Sequence, residues 1–189
     1  MCALRAYLRH RAMLLEHRAA HIEHMQKALH QMNVQLTQVL TDMTGVTGLA
    51  IIRAIVAGER DPVHLARFRE PRCASSTADI AKALTGHYQP EHVFALKQAP
   101  TLYDAYTEQV RECDTAIEQR FRAMRPVGPD APPPLNRAPK HRTHNKNAPI
   151  YDARGLLDQL TGVDLVAIPG LNASTVHTML SEIGLDLRK

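Results

Sequence analysis

The sequence contains no tryptophan and few aromatic residues of any kind. Phe and Tyr together make up only 4% of its 189 residues. A core must therefore be built from Leu, Ile, Val, Met and Ala, a set of residues typical of helices. The three cysteines, Cys2, Cys73 and Cys113, form no CxxC pair and leave an odd number. Their spacing argues against a disulfide framework and against a cysteine-based zinc site.

Long apolar runs and catalytic motifs are also missing. No apolar run approaches the roughly 20 residues that cross a bilayer, and the N-terminus lacks a hydrophobic signal core. We therefore expect no membrane partner and a cytoplasmic location. The chain contains no GxxxxGK loop, no HExxH motif and no nucleophile elbow. His17, His21 and His24 have metal-ligand spacing, but no cysteine or well-placed carboxylate completes a shell, so we expect no metal site.

Two stripes of apolar residues predict two long helical arms. In the first arm the apolar positions advance in steps of three and four from Ile22 onward, and Arg11 and Arg18 fill two earlier positions of the same stripe. No Pro or Gly interrupts residues 1–44, which predicts an unbroken helix of about 60 Å at 1.5 Å per residue. The first stripe contains Leu8, Leu15, Ile22, Met25, Leu29, Met32, Leu36, Val39 and Met43, and the second contains Tyr103, Tyr106, Val110, Cys113, Ile117 and Phe121.

These stripes lead to an all-α prediction with long coiled-coil arms and a helical insertion between them. The arms are expected at residues 1–43 and 101–124, paired within one chain or between two chains, with an ordinary helical bundle as the alternative. Residues 44–100 predict short helices that begin after Asp61, after Ser76 and at Pro90. Gly86 is expected to close the second of these, and Pro100 to break or kink the third.

The composition of residues 125–149 predicts a proline-rich basic linker. They hold seven of the twelve prolines and five basic residues against Asp130 alone, whereas the formal charge of the whole chain is +4. Such a segment suits nucleic-acid phosphates because Coulomb attraction and counterion release need no fixed geometry. A plain solubilising spacer is the alternative. The candidate phosphate contacts are Arg137, Lys140, Arg142 and Lys146.

A similar glycine turn occurs twice, at residues 43–52 and again at residues 168–176. In each copy an apolar residue leads into a glycine turn, another apolar residue fills the turn, and a small or polar residue opens an apolar helix. This pattern is typical of a helix-hairpin-helix, in which backbone N–H groups at a helix N-terminus face a phosphate. An ordinary tight turn between packed helices is the alternative. The candidate binding residues are Thr44, Gly45, Thr47, Gly48, Gly170, Asn172 and Ala173.

Four stretches of the sequence resemble bacterial insertion-sequence transposases of the 110/1111 type. They are residues 21–29 (HIEHMQKAL), 40–48 (LTDMTGVTG), 52–62 (IRAIVAGERDP) and 160–165 (LTGVDL). The resemblance implies a recombinase with an acidic RNase H-like domain that uses Mg²⁺, a central coiled coil, and a C-terminal domain with a nucleophilic serine. It also implies DNA and a guide RNA as partners, and a location at the bacterial nucleoid.

By this resemblance the chain starts inside the coiled coil and ends before the serine motif. We expect a truncated transposase that keeps its scaffold, its linker and the partial C-terminal helix-hairpin-helix piece at residues 150–189. No catalytic residue is carried over, Ser174 and Ser181 do not inherit the nucleophile's role, and no cofactor is expected in this fragment. The isolated chain is expected to be inactive and to pair with itself or with an intact transposase through the coiled coil. The C-terminal piece is expected to be poorly packed or to lean on the arms because it is short.

Two other functions remain open from the sequence. The chain could be a stand-alone helix-hairpin-helix module that binds nucleic acid. It could also be a structural coiled-coil protein whose glycine turns contact no ligand.

Overall fold

The computed structural model describes residues 2–124 and 145–184. Within these residues the chain is helical and has no strand, which confirms the all-α prediction. A short 3₁₀ helix, Leu165–Ala167, lies between the last two α-helices. The α-helices are α1 (Cys2–Gln31), α2 (Leu36–Val39), α3 (Val46–Val56), α4 (Pro62–Ala66), α5 (Thr77–Ala83), α6 (Pro90–Arg122), α7 (Ala153–Thr161) and α8 (Ala173–Ile183).

The two longest helices, α1 and α6, pack together within the one chain. Arg11 and Arg18 are both buried, as their places in the apolar stripe predicted. Near the N-terminus the buried positions differ from the predicted stripe. Leu14, which the stripe did not include, is buried, whereas Leu8 and Leu15 are only half-buried. In α6 the predicted positions are buried except for Tyr106, which is half-buried.

Helix α1 ends at Gln31, so the prediction of unbroken helix over residues 1–44 is wrong. Asn33 takes a left-handed conformation with φ 57°. The N–H of Val34 donates to the Leu29 carbonyl, and the N–H of Asn33 donates to the His30 carbonyl, each at 2.9 Å. This is a Schellman motif, and the buried side chains of Val34 and Leu29 supply its apolar contact. The local hydrogen bonds end the helix without Pro or Gly.

Pro100 lies inside α6, so of the predicted break or kink at this residue the break does not occur. Proline removes one helical hydrogen bond, which normally disfavours a helix interior. Here the flanking turns are fixed by their packing, because Leu96, Ala99 and Tyr103 are buried in a shared core. Tertiary packing therefore maintains a helix that local propensity would interrupt.

The chain divides into two compact units, which cut across the predicted domains. One unit comprises residues 16–107, and its core includes the fully buried Ile51, Ile52 and Ile55 of α3. Short helices begin where the sequence indicated. Asp61 caps α4 by accepting from the N–H of Val63, and Ser76 caps α5 by accepting from the N–H of Asp79.

Gly86 has a different role from the predicted one. Helix α5 already ends at Ala83. A Cβ atom at Gly86 would lie 2.4 Å from the carbonyl oxygen of Met32, and the N–H of His87 donates to the same oxygen at 2.7 Å. Gly86 therefore allows the chain to approach the end of α1 closely, rather than closing α5.

The second unit comprises residues 1–15 and 108–189, of which the structure describes 2–15, 108–124 and 145–184. Its C-terminal helices lean on the two arms, which is one of the two outcomes predicted for so short a piece. His177 of α8 stacks on Phe121 with 4.7 Å between ring centroids. Arg5 donates to the carbonyl of Glu182 at 3.0 Å and so caps the C-terminal end of α8.

A buried ion pair lies beside these helices. The Nε of Arg11 is 2.5 Å from the Oδ1 of Asp114, and both side chains are buried. The N–H of Ile150 also donates to Asp114, and Arg11 donates to the carbonyl of Asn147 at 2.9 Å. The pair thus ties the start of the C-terminal piece to α1 and α6. Over the described residues, no helix combines the length and the apolar character needed to cross a membrane.

Candidate nucleic-acid interface

The first glycine turn precedes α3, and the residue at the N-cap position of this helix has no side chain that could cap it. Gly45 occupies the N-cap position with extended backbone geometry. The carboxylate of Asp42 accepts hydrogen bonds from both the N–H and the hydroxyl of Thr44, each at 2.9 Å. Thr44 and Gly45 are half-exposed. An acidic side chain therefore lies next to this helix terminus, which opposes the approach of a phosphate.

The other residues of the first turn face inward. Thr47 is buried, and its hydroxyl accepts from the N–H of Glu70 at 3.0 Å. Gly48 is buried as well, and a Cβ atom there would lie 2.1 Å from the carbonyl oxygen of Met43. Val46, which was expected to fill the turn, is instead 69% exposed. These residues explain the turn through packing rather than through contact with a ligand.

A surface cleft of about 390 Å³ lies beside this turn. Its lining includes Gly45, Glu70, Arg72 and Ser75. Arg72 is exposed, and our reading of the sequence missed it. The signal that could have indicated it is the group of three arginines at residues 67–72.

The second glycine turn connects α7 to α8 and lies at the surface. The N–H of Leu171 donates to the carbonyl of Ile168 at 3.1 Å, with Pro169 and Gly170 between them. Gly170 has φ 89°, which suits the third residue of a type II turn. Asn172 then caps α8 by accepting from the N–H of Thr175 at 2.9 Å. Gly170 and Asn172 are exposed and Ala173 is half-buried, so this turn presents a helix N-terminus to the solvent.

An ion pair links α7 to the start of the 3₁₀ helix that precedes the second turn. The Nε of Arg154 in α7 donates to the Oδ1 of Asp164 at 3.0 Å. This hydrogen bond lowers the pKa of Asp164 and raises the pKa of Arg154. Residues 145–184 carry two basic side chains, Lys146 and Arg154, against four acidic ones. The turn therefore offers backbone N–H groups within a segment whose net charge is negative.

The basic linker falls largely outside the described residues. Arg137, Lys140 and Arg142 all lie there, whereas Lys146 is described and exposed. The structure thus places the two glycine turns in different units and describes one of the four basic candidates.

The three histidines of α1 form an aromatic cluster with α6. The rings of His17 and His21 stack on Tyr106, with centroids 5.5 and 5.4 Å away, and His24 contacts His21 edge-on. Burial lowers the pKa of His21, and His24 and His17 lower it further. Among the described residues, no group of three or more His, Cys, Asp or Glu side chains is placed to hold a metal ion.

Comparisons with known proteins returned no match, either to a protein-family model, to a curated protein or to a solved structure.

Proposed function

We propose that this chain is part of an insertion-sequence transposase and that it supplies a DNA-binding helical scaffold for DNA transposition. One structural observation supports DNA binding above the others. Residues 168–183 form an exposed turn and the helix α8 that follows it, with Gly170 at φ 89° and Asn172 capping the helix. The resemblance of four sequence stretches to the 110/1111-type transposases supports the assignment to transposition.

The charges of residues 145–184 suggest how the linker and the second turn share the binding of DNA. The second turn positions backbone N–H groups toward one phosphate, since a helix N-terminus carries partial positive charge. Most of the electrostatic attraction must come from the linker, because the residues around the turn are more acidic than basic. Binding should therefore be weak, largely independent of DNA sequence and strongly dependent on salt.

Fluorescence anisotropy with a labelled duplex, measured from 50 to 200 mM salt, tests this proposal. The test variant replaces Arg137, Lys140, Arg142 and Lys146 by Ala. We expect the slope of log K against log salt to fall by roughly 0.9 for each phosphate contact that is lost.

A control variant with the same change of charge separates the linker from general electrostatics. It replaces four exposed basic residues elsewhere, Arg67, Lys82, Lys97 and Arg111, by Ala. The control should retain most of the slope. If the slope of log K against log salt were equal in the wild-type protein and the linker variant, the linker would act only as a spacer.

Two other functions correspond to distinct outcomes. No measurable binding to duplex DNA would favour a structural helical protein, which the intramolecular pairing of α1 and α6 also suits. A stand-alone nucleic-acid-binding module would bind DNA in the same way as a transposase scaffold. The neighbouring genomic DNA distinguishes these two, since coding sequence for an acidic RNase H-like domain and a serine motif supports the transposase.

A scaffold of this kind could also pair with an intact transposase. The apolar stripe that was predicted to make this contact is not accessible to a second chain in this structure. Leu29, Met32 and Leu36 are buried in the chain's own core. A second chain would have to bind other surfaces of the arms.

A further inference from the structure

A cleft of about 440 Å³ lies between α1 and α6 within the unit of residues 16–107. Its polar lining comprises Lys27, His21, His24, Gln31 and Gln98, and none of the described residues that line it is acidic. The volume falls in the range of small-molecule sites. The DNA-binding proposal makes no use of this cleft.

Small side chains create this space. Ala28 of α1 and Ala95 and Ala99 of α6 line the cleft where the two helices face one another. A methyl group fills far less of the gap between two helices than the leucines and isoleucines found elsewhere in this core. The gap therefore persists although the helices are packed on both sides of it.

The polar groups around the cleft can all donate hydrogen bonds to an anion. Lys27 is exposed and has no ion-pair partner among the described residues. His24 lines the same cleft and is exposed, so its ring can also donate to a ligand there. The side-chain amides of Gln31 and Gln98 add further N–H donors. A ligand with several negatively charged oxygens would satisfy these groups.

We propose that this cleft binds a small phosphate-bearing anion, such as a phosphate ester or a diphosphate. Lys27 supplies the fixed positive charge, and charge-assisted hydrogen bonds to an anion are about twice as strong as neutral ones. His21 is oriented by its stacking on Tyr106, so its ring is held in place before the anion arrives. The titratable groups that face the site are His21, His24 and Lys27 of α1, with His17 next to the stack, whereas the α6 lining is Ala, Gln and Leu.

The test titrates the full-length chain with inorganic pyrophosphate and follows the imidazole resonances of the histidines by NMR at pH 6.5. Saturable shifts of His21 and His24 are expected. Lys27→Ala should weaken binding roughly tenfold or more, as loss of one hydrogen bond to a charged group predicts. Lys97→Ala is the matched control, because Lys97 is exposed on α6 but does not line the cleft.

A second variant blocks the cleft without changing charge. Ala95→Leu enlarges an exposed lining residue, so it should abolish the shifts while leaving the helices folded. Equal weakening by Lys27→Ala and Lys97→Ala would overturn the proposal, and so would binding that survives Ala95→Leu. The absence of saturable shifts in the wild-type protein would overturn it as well.

Competition identifies the source of the phosphate. If a short duplex displaces pyrophosphate and Lys27→Ala weakens both, the cleft holds a nucleic-acid phosphate. If pyrophosphate remains bound in the presence of duplex, the cleft serves a free phosphate ester. Either result supports the site, and both are independent of the linker variant that tests DNA binding.

Discussion

Two glycines occupy the same position in their helices for different structural reasons. Gly48 and Gly155 each lie three residues after the N-cap, in the first turns of α3 and α7. A Cβ atom at Gly48 would meet the main-chain carbonyl of Met43 at 2.1 Å. At Gly155 it would meet only the carboxylate of Asp152, at 2.3 Å. A main-chain carbonyl cannot move aside, whereas the end of a side chain can.

Gly48→Ala should therefore destabilise the protein although alanine favours helices. Overpacking against a fixed backbone costs roughly 1–3 kcal/mol or more, and we expect it to exceed the gain of about 1 kcal/mol in helix propensity. Urea denaturation followed by circular dichroism measures the change. Gly155→Ala is the control and should change the free energy of unfolding by less than about 1 kcal/mol, since the gain in propensity offsets a weakened cap.

If both variants had equal stability, the close contact at Met43 would not explain Gly48. A role of Gly48 in binding phosphate would then regain support.

At the level of helices, the sequence predicts where elements begin better than where they end. Capping residues such as Asp61 and Ser76 act within one turn, so their effect is visible in the sequence. The end of α1 depends on Asn33, a residue that adopts the left-handed conformation only in some contexts. The continuity of α6 through Pro100 depends on packing by residues distant in sequence, which periodicity alone does not reveal.

Replacement of Pro100 by Ala should stabilise α6. Alanine restores an N–H donor to the helix interior, where proline costs about 3 kcal/mol relative to alanine. Pro100 is buried, so the loss of its ring atoms offsets part of this gain. We expect a net gain of roughly 1–2 kcal/mol in the free energy of unfolding by urea denaturation.

Pro90→Ala is the matched control at the other proline of α6. Pro90 is the first helical residue, where a missing N–H costs nothing. Its replacement should leave stability unchanged or slightly lower. Destabilisation by Pro100→Ala would mean that the packing of the proline ring outweighs the lost hydrogen bond.

At the scale of the whole molecule, the sequence indicated the helical class and the pairing of α1 with α6. It could not predict the two compact units, because these depend on contacts between residues far apart in the chain, such as Arg11 with Asp114. The candidate site divides in the same way. Gly170 and Asn172 lie exposed at a helix N-terminus, as a local pattern can indicate. Thr47 is buried and accepts a hydrogen bond from Glu70, a residue distant in sequence, which the same local pattern cannot show.

The unit of residues 1–15 and 108–189 contains a buried histidine that should make its stability depend on pH. His177 is 1% exposed, stacked on Phe121, and its Nε2 has no hydrogen-bond partner among the described residues. Burial lowers its pKa from 6.5 to about 4, and the charge of Arg11 acts in the same direction. The folded state therefore disfavours protonation, whereas the unfolded chain takes up a proton near pH 6.5.

Between pH 6.5 and 4 the unfolded state binds more protons, so the free energy of unfolding should fall as the pH is lowered. The loss attributable to His177 should approach roughly 3 kcal/mol near pH 4. Urea denaturation at pH 7, 6, 5 and 4.5 measures it.

His177→Phe keeps an aromatic ring against Phe121 but cannot be protonated, so it should remove most of this dependence. His24→Gln, at an exposed position, should retain it. The remaining slope in His177→Phe is expected from His21 and, toward pH 4.5, from carboxyl groups such as Glu59, whose pKa values are also lowered. A His177→Phe variant with the full wild-type pH dependence would show that the folded protein does not hold His177 neutral.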